Sequence, residues 1–388
     1  MRGHGGDRAK TKAGCDPGVA VGRKCWIMRI LNIMLAKVRG GVETMGLRYH
    51  EALNAEGFEV MSLGHPEGML AEGVAANDFQ PLLCNSGFDP VAAMRLRARV
   101  RDFKPHLVLT HGNRATGLAL MPLLGTADRT VQVLHNQSHK PHVVRTKAVM
   151  CVSANVRNGL LKAYPGVQAL DMANFSHLKI NPVKTAPRKP PIIGALGRLH
   201  EIKGFDVLLR AAATLRDQGV DFRLKLAGDG PELASLKQLA SDLGLEDRVE
   251  FVGWVANPSA FLNTIDLFVV PSRYESFGLV VIEAMAAGVP VITSDIEGPC
   301  EILKGGQLGT LFRSEDVTDL ARAMTVVFDS WPRAFRLARE AQAHAVATFG
   351  FDAGKKRLRQ AIETIQHDVR GFAPVSGWAA PVAEPLQI

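Results

Sequence analysis

Residues 271–283 read P-S-R-Y-E-S-F-G-L-V-V-I-E. Two carboxylates, Glu275 and Glu283, stand eight positions apart on either side of a glycine that leads into an apolar helical run. Eight helical residues rise about 12 Å, the span from the hexose of a sugar nucleotide to its ribose. Between the acids, Phe277, Gly278 and Leu279 bring backbone N–H groups to a helix N-terminus, which is an anion site. One segment can therefore hold a sugar, a diphosphate and a ribose in that order. The plainer reading is a strand, a loop and a helix whose acids are merely solvated; the other motifs decide between the two.

A second constellation reads G-R-L-H-E-I-K-G over 197–204. A strand ends in glycine, and Arg198 and Lys203 then project from a strand-to-helix turn, where a diphosphate would lie. The arginine offers a planar fork and the lysine a point charge, so together they can neutralise a leaving nucleotide. The turn L-A-G-D-G-P-E over 226–232 reads as a tight turn after a buried strand. Near the start, Gly40 and Gly41 follow the first strand, where a double glycine admits a ligand close to the backbone. Glu43 then either caps the helix or meets substrate. The first turn carries no G-x-G-x-x-G, which counts against a dinucleotide oxidoreductase.

These residues need a frame. From Met28 on, short apolar runs alternate with amphipathic segments, the sign of βαβ units and parallel sheets. Strands are expected near 30–34, 58–61, 107–110, 131–134 and 148–152, and in the second half near 192–197, 222–227, 249–252, 267–270 and 291–293. In open α/β sheets ligands sit at the C-terminal strand edge, which makes Gly40-Gly41, His111-Gly112 and His135-Asn136 the first-half site loops. Four prolines and three basic residues in Ile180–Pro191 break the pattern and mark a linker. Helices are expected over 231–243, 317–328, 333–348 and 354–369.

A formal charge of +8 favours anionic partners, although no nucleic-acid recognition motif is present. Five scattered cysteines without a Cys-x-x-Cys pair argue against a disulfide framework or a zinc site and fit a reducing cytoplasm. No apolar run approaches the ~18 residues of a spanning helix. The first 27 residues are rich in glycine and basic residues, and are expected to be a disordered arm or to precede the functional start at Met28.

Taken in order, G-G-V-E, G-R-L-x-x-x-K-G, L-A-G-D-G-P-E and P-S-x-x-E-S-F-G-L-x-x-x-E-A-M-A-x-G-x-P-V-I resemble the family 4 retaining glycosyltransferases of GT-B fold, over roughly residues 28–368. The resemblance implies an α/β chain with two Rossmann-like domains facing each other across a cleft. The boundaries would be a 1–27 arm, an acceptor-side domain over 28–180, and a linker over 181–191. A nucleotide-sugar domain over 192–348, a helix crossing back over 349–369 and a disordered tail over 370–388 would follow. It also implies that Arg198 and Lys203 grip the donor diphosphate, Glu283 binds the ribose and Glu275 the sugar hydroxyls. Gly278 and Leu279 would contact phosphate, and Gly40 and Gly41 would approach both substrates. His135 resembles the family's first-domain histidine near the sugar, with His111, His139 and His142 as competitors. Asn174 falls where the family has N-G-x-D, but Phe175 replaces the glycine.

The implied reaction is front-face transfer of a hexose with retention, using a nucleoside diphosphate sugar as substrate and no cofactor. The missing Asp-x-Asp motif agrees with a metal-independent reaction. In segment 91–104, Leu96, Val100 and Phe103 form an apolar stripe among four arginines and Lys104, which could rest on an anionic membrane. The expected acceptor is a glycan or glycolipid of the cell envelope, such as lipopolysaccharide. The alternatives are a sugar-nucleotide epimerase or hydrolase on the same fold, and a silent nucleotide-sugar-binding protein.

Overall fold

The structure, a computed structural model, describes residues 27–37 and 40–367. The expected arm before Ile27, the tail from Arg370 and the end of the last helix lie outside the described residues. The first sheet takes its strands from β1 (Arg29–Met34), α1 (Gly41–Ala55), β2 (Glu59–Gly64), α2 (Met69–Gly73), β3 (Phe79–Pro81), α3 (Pro90–Phe103), β4 (Leu107–His111), α4 (Gly112–Ala119), β5 (Thr130–Leu134), β6 (Ala148–Cys151), α5 (Ala154–Ala163) and β7 (Ala169–Asp171). All pairings are parallel, in the order β3-β2-β1-β4-β5-β6-β7. The central strands β4, β5 and β6 are buried along their whole length, as expected where helices cover both faces.

The second sheet is built from β8 (Ile192–Leu196), α6 (Phe205–Asp217), β9 (Arg223–Ala227), α7 (Leu233–Asp242), β10 (Val249–Gly253), α8 (Pro258–Leu262), β11 (Leu267–Val270), α9 (Leu279–Ala286), β12 (Val291–Ser294), α10 (Glu297–Ile302), β13 (Thr310–Phe312) and α11 (Val317–Asp329). It is again parallel, ordered β10-β9-β8-β11-β12-β13. Helices α12 (Trp331–Phe349) and α13 (Phe351–His367) are the last described elements, and α13 packs on α1 of the first domain while α12 packs on α9. Three strands escape the sequence pattern: β3, β7 and β13 are three residues each, too short for a periodicity to register.

Two features hold the domains in place. Asp266 is fully buried and takes hydrogen bonds from the linker side chains Lys184 (2.7 Å) and Arg188 (2.9 Å) and from the Ile192 amide (2.9 Å). The linker is thereby pinned to the start of β8. Phe175, also fully buried, stacks with Tyr49 of α1 at 5.8 Å between ring centroids. A methyl group on Gly354 of α13 would come within 2.0 Å of the Phe175 ring, so the crossing helix seats on that ring only because residue 354 has no side chain. Phe175, where the resemblance would have a glycine, is thus a packing joint for α13.

Helix α3 departs from its expected orientation. Leu96 is buried, and Val100 and Phe103 pack against the first-domain core, so the predicted apolar stripe faces inward. Covering the sheet outweighs the charged flanks that suggested a membrane face. What the helix exposes instead is Val91 (59 %) and Met94 (69 %), next to Phe88 (75 %) in the preceding loop.

Candidate active site

The residues expected to bind a donor follow β8 and β11, at the C-terminal edge of the second sheet. After β8, Arg198 is exposed and has no hydrogen bond or ion pair among the described residues. Lys203 ends a single 3-10 turn, Glu201–Lys203, capped by the His200 ring accepting from the Ile202 amide at 3.3 Å. Gly204 follows with φ 64°, and a methyl there would come within 2.0 Å of the Pro271 carbonyl oxygen. That close approach brings the Lys203 turn against the 271–278 loop, and Lys203 is ion-paired with Glu275. Ser272 adds a longer hydrogen bond to the same carboxylate at 3.4 Å.

Glu275 lies in the loop and only Glu283 on helix α9, so the two acids are separated by a bend at Gly278 and not by eight residues of continuous helix. Gly278 has φ 108°, a left-handed conformation natural to glycine, and no side chain caps α9. The first-turn N–H groups at Leu279 are left for an anion. Phe277 is buried and packs edge-on to Phe349, fixing the bend from below. Burial pushes the Glu283 carboxyl up to about 7, against the pull of the Arg48 guanidinium from α1 of the first domain.

Sequence reading gave no role to Arg273. Its guanidinium binds Asp206 through both terminal nitrogens (2.9 and 2.8 Å) and Glu315 through Nε (2.8 Å), and it reaches the Glu201 carbonyl at 2.5 Å. It thus ties the Glu275 loop to the Lys203 turn. Its only sequence signal is a cation amid a motif of otherwise assigned residues.

Across the cleft, the first domain presents its own strand ends. Gly41 opens α1 directly opposite α9, and a methyl on Gly41 would come within 3.3 Å of Leu279 Cδ1. Gly40 lies beside Glu43, whose carboxyl burial raises above its usual range. His135 follows β5, and its Nε2 lies 3.0 Å from His111 Nδ1 at the end of β4. Burial holds His135 down to about 4, and His111 well below its ordinary value, so both rings are neutral near pH 7. His139 instead packs on Tyr164, and His142 lies in a 3-10 turn away from this pair. Asn174 is buried beside Phe175.

The domains also touch directly. Glu301 of α10 accepts from the Ala154 amide at the start of α5 (3.0 Å), Glu297 accepts from Asn155 (2.6 Å), and the Tyr274 hydroxyl accepts from the Gln137 amide (3.4 Å). Among the described residues no cluster of three or more His, Cys, Asp or Glu could hold a metal ion.

The two parallel-sheet domains, with Arg198, Lys203 and the start of α9 at the strand ends of the second, can be set beside known proteins. Residues 178–344 match the family model for Glycosyl transferases group 1. The match spans the second domain and part of α12, less than half of the chain. The lipopolysaccharide core biosynthesis glycosyltransferase LpsE of Rhizobium meliloti (strain 1021) is 36% identical over 167 residues, which is 43% of this chain and 48% of that protein. The chain spans about half the length of the curated relatives it matches. In structure, HepE of Anabaena in complex with UDP superposes with a TM-score of 0.74 at 21% identity, covering 87% of this chain and 100% of that one. The lipopolysaccharide outer core galactosyltransferase WaaB gives 0.68 at 17% identity, covering 87% and 99%. The fold is GT-B.

Proposed function

We propose that the protein is a retaining, metal-independent glycosyltransferase that moves a hexose from a nucleoside diphosphate donor to a glycan or lipid-linked acceptor in cell-envelope synthesis. The observation that carries this reading is the Lys203 turn, which follows Arg198, held against the 271–278 loop that leads into the uncapped start of α9, opposite Gly41. The names of LpsE and WaaB support the lipopolysaccharide setting, and HepE, solved with UDP and with UDP-glucose, supports a nucleotide-sugar donor.

In the proposed reaction the bond between the anomeric carbon and the diphosphate oxygen breaks, and the diphosphate leaves with the electron pair. Arg198, Lys203 and the α9 amides stabilise that developing charge where it appears, which is the largest lever such a site has. The acceptor hydroxyl oxygen bonds to the anomeric carbon on the face just vacated, and its proton passes to a departing phosphate oxygen. Glu283 takes the ribose hydroxyls, and Glu275 the sugar hydroxyls once Lys203 turns to the diphosphate.

The acceptor side has a surface suited to lipid. The loop carrying Phe88 leaves the C-terminal end of β3, on the cleft edge, and Phe88, Val91 and Met94 are exposed beside the exposed Arg95, Arg97, Arg99 and Arg101. Apolar side chains ringed by arginines match an anionic bilayer surface. No helix among the described residues is long and apolar enough to cross a membrane. Sedimentation with anionic vesicles tests the contact; binding that Phe88→Ser with Met94→Ser leaves unchanged would remove it.

Thermal unfolding with UDP, GDP and ADP, for wild type and Glu283→Ala, tests the donor site. A nucleotide at 100-fold over its Kd stabilises by about 2.7 kcal/mol. One nucleotide should shift wild type, and the variant should lose that shift. No shift with any nucleotide at millimolar concentration would overturn the reading. Steady turnover of the sugar nucleotide without acceptor would favour an epimerase or hydrolase.

A further inference from the structure

A chain of hydrogen-bonded side chains, buried from His50 inward, runs across the first domain to His135 after β5. On α1, Asn54 Nδ2 meets His50 Nε2 at 2.8 Å, and His50 Nδ1 meets Ser62 Oγ of β2 at 2.9 Å. Asn32 Nδ2 of β1 donates to Ser62 Oγ and to the Gly46 carbonyl, both at 3.0 Å. Asn32 Oδ1 lies 2.9 Å from His111 Nε2 of β4, and His111 Nδ1 lies 3.0 Å from His135 Nε2 beyond β5. Strands β2, β1, β4 and β5 are consecutive neighbours, so the chain crosses the sheet strand by strand. Asn32 and Ser62 are wholly buried, and His111 and His135 nearly so.

The proton positions follow by elimination. A backbone carbonyl only accepts, so the Asn32 amide nitrogen faces Gly46 and its oxygen faces His111. An amide oxygen also only accepts, so His111 Nε2 carries the hydrogen. His111 is a neutral ring, which leaves its Nδ1 with a lone pair and obliges His135 Nε2 to donate to it. His135, likewise neutral, then has no hydrogen on Nδ1. That nitrogen is buried and has no hydrogen-bond partner among the described residues. Native structures rarely leave a buried acceptor unmatched, and this one follows β5 at the C-terminal strand edge, where open α/β sheets take their ligands.

We propose that Asn32 and His111 are positioning residues that fix His135 as its Nε2–H tautomer, so that Nδ1 presents a lone pair to a hydroxyl of the sugar bound in the cleft. The sugar contact rests on the glycosyl-transfer reading; the tautomer does not. The consequence is selectivity, because a site built to accept from a hydroxyl penalises a sugar that lacks it.

Two measurements test this separately. Multiple-bond proton–nitrogen NMR of the histidine rings, in the full chain without ligand, should show His135 protonated at Nε2 and bare at Nδ1. A His135 protonated at Nδ1 overturns the proposal outright. His111→Phe should erase the preference. His111→Asn, whose Oδ1 stands where Nδ1 does, should restore it; failure to restore it in a protein that keeps a folded spectrum also counts against the relay. Calorimetry with UDP and UDP-glucose as probes then reads the contact. His111→Phe should leave UDP affinity unchanged and weaken UDP-glucose roughly tenfold, with His111→Asn recovering most of the loss. Equal losses for both probes, or none, overturn the sugar contact. A wild type that binds neither probe overturns the donor reading and the sugar contact with it, while the ring spectrum still decides the tautomer.

Discussion

Glu275 accepts a hydrogen bond from Lys203 across 72 residues of chain, joining the two turns that form the donor edge of the second domain. The pair is mostly shielded, with 25% and 15% of the two side chains exposed. Each therefore sets the other's charge environment. Lys203→Ala should lower kcat on the order of 10²–10³-fold through lost diphosphate stabilisation. Glu275→Ala should weaken binding of the sugar nucleotide more than binding of the free nucleotide. The double variant should fall short of the summed losses by about 0.5–3 kcal/mol, as for contacting groups. Strict additivity in this cycle would show that the pair does not act as a unit.

Arg273 predicts a different kinetic signature. It touches neither expected ligand position but clamps both turns through Asp206, Glu315 and the Glu201 carbonyl. Arg273→Lys cannot reproduce the two-pronged contact. Expected is a kcat loss of about tenfold or more from misplaced groups, with nucleotide affinity changed little. A variant that lost nucleotide binding and kept kcat would contradict this positioning role.

The proposed ribose contact at Glu283 predicts a pH dependence of nucleotide binding. Ribose hydroxyls would donate to the carboxylate, so binding would favour the ionised form. With the free-site carboxyl pushed up to about 7, affinity should rise as pH increases from 6 to 8, by at most about tenfold per unit below that value. The stability sign is the reverse. The folded state holds its proton more tightly than the unfolded chain, so this group's contribution weakens as pH rises from the ordinary carboxyl range through about 7. Glu283→Gln should flatten both trends, as read by calorimetry and by thermal unfolding across that range.

Phe175 and Gly354 form a complementary pair at the domain crossing. Gly354→Ala should destabilise by about 1–3 kcal/mol by overpacking, and Phe175→Ala by about 3–5 kcal/mol through a cavity. Combined, the two should cost less than their sum, because the smaller ring site admits the new methyl. Urea unfolding measures all three, and additive losses would separate the pair.

At the linker, Asp266→Ala leaves Lys184 and Arg188 without their shared carboxylate and the Ile192 amide without its acceptor. A loss of about 3–5 kcal/mol is expected for breaking a buried pair. Asp266→Asn should retain part of it, since the amide oxygen can still accept.

The chain's local patterns determined a good deal without any structure. Runs such as 107–110 and 267–270 could only be buried strands, since both are continuous apolar segments bounded by turns. Arg198 and Lys203 read as an anion site, and Glu275 and Glu283 as acids for sugar and ribose hydroxyls, because each sits at a fixed offset from a glycine turn or a helix start. These are statements about neighbours in sequence, where spacing alone sets geometry. What only the tertiary structure decided are contacts between distant segments. Leu96, Val100 and Phe103 turn inward because the sheet face beneath α3 needs cover, which no charge pattern within the helix can report. His111 and His135 meet because β4 and β5 are neighbours, and Asn32 joins them because β1 lies on the other side of β4. Strand order, and with it the meeting of Asn32, His111 and His135, comes from long-range burial that acts only once the sheet has formed.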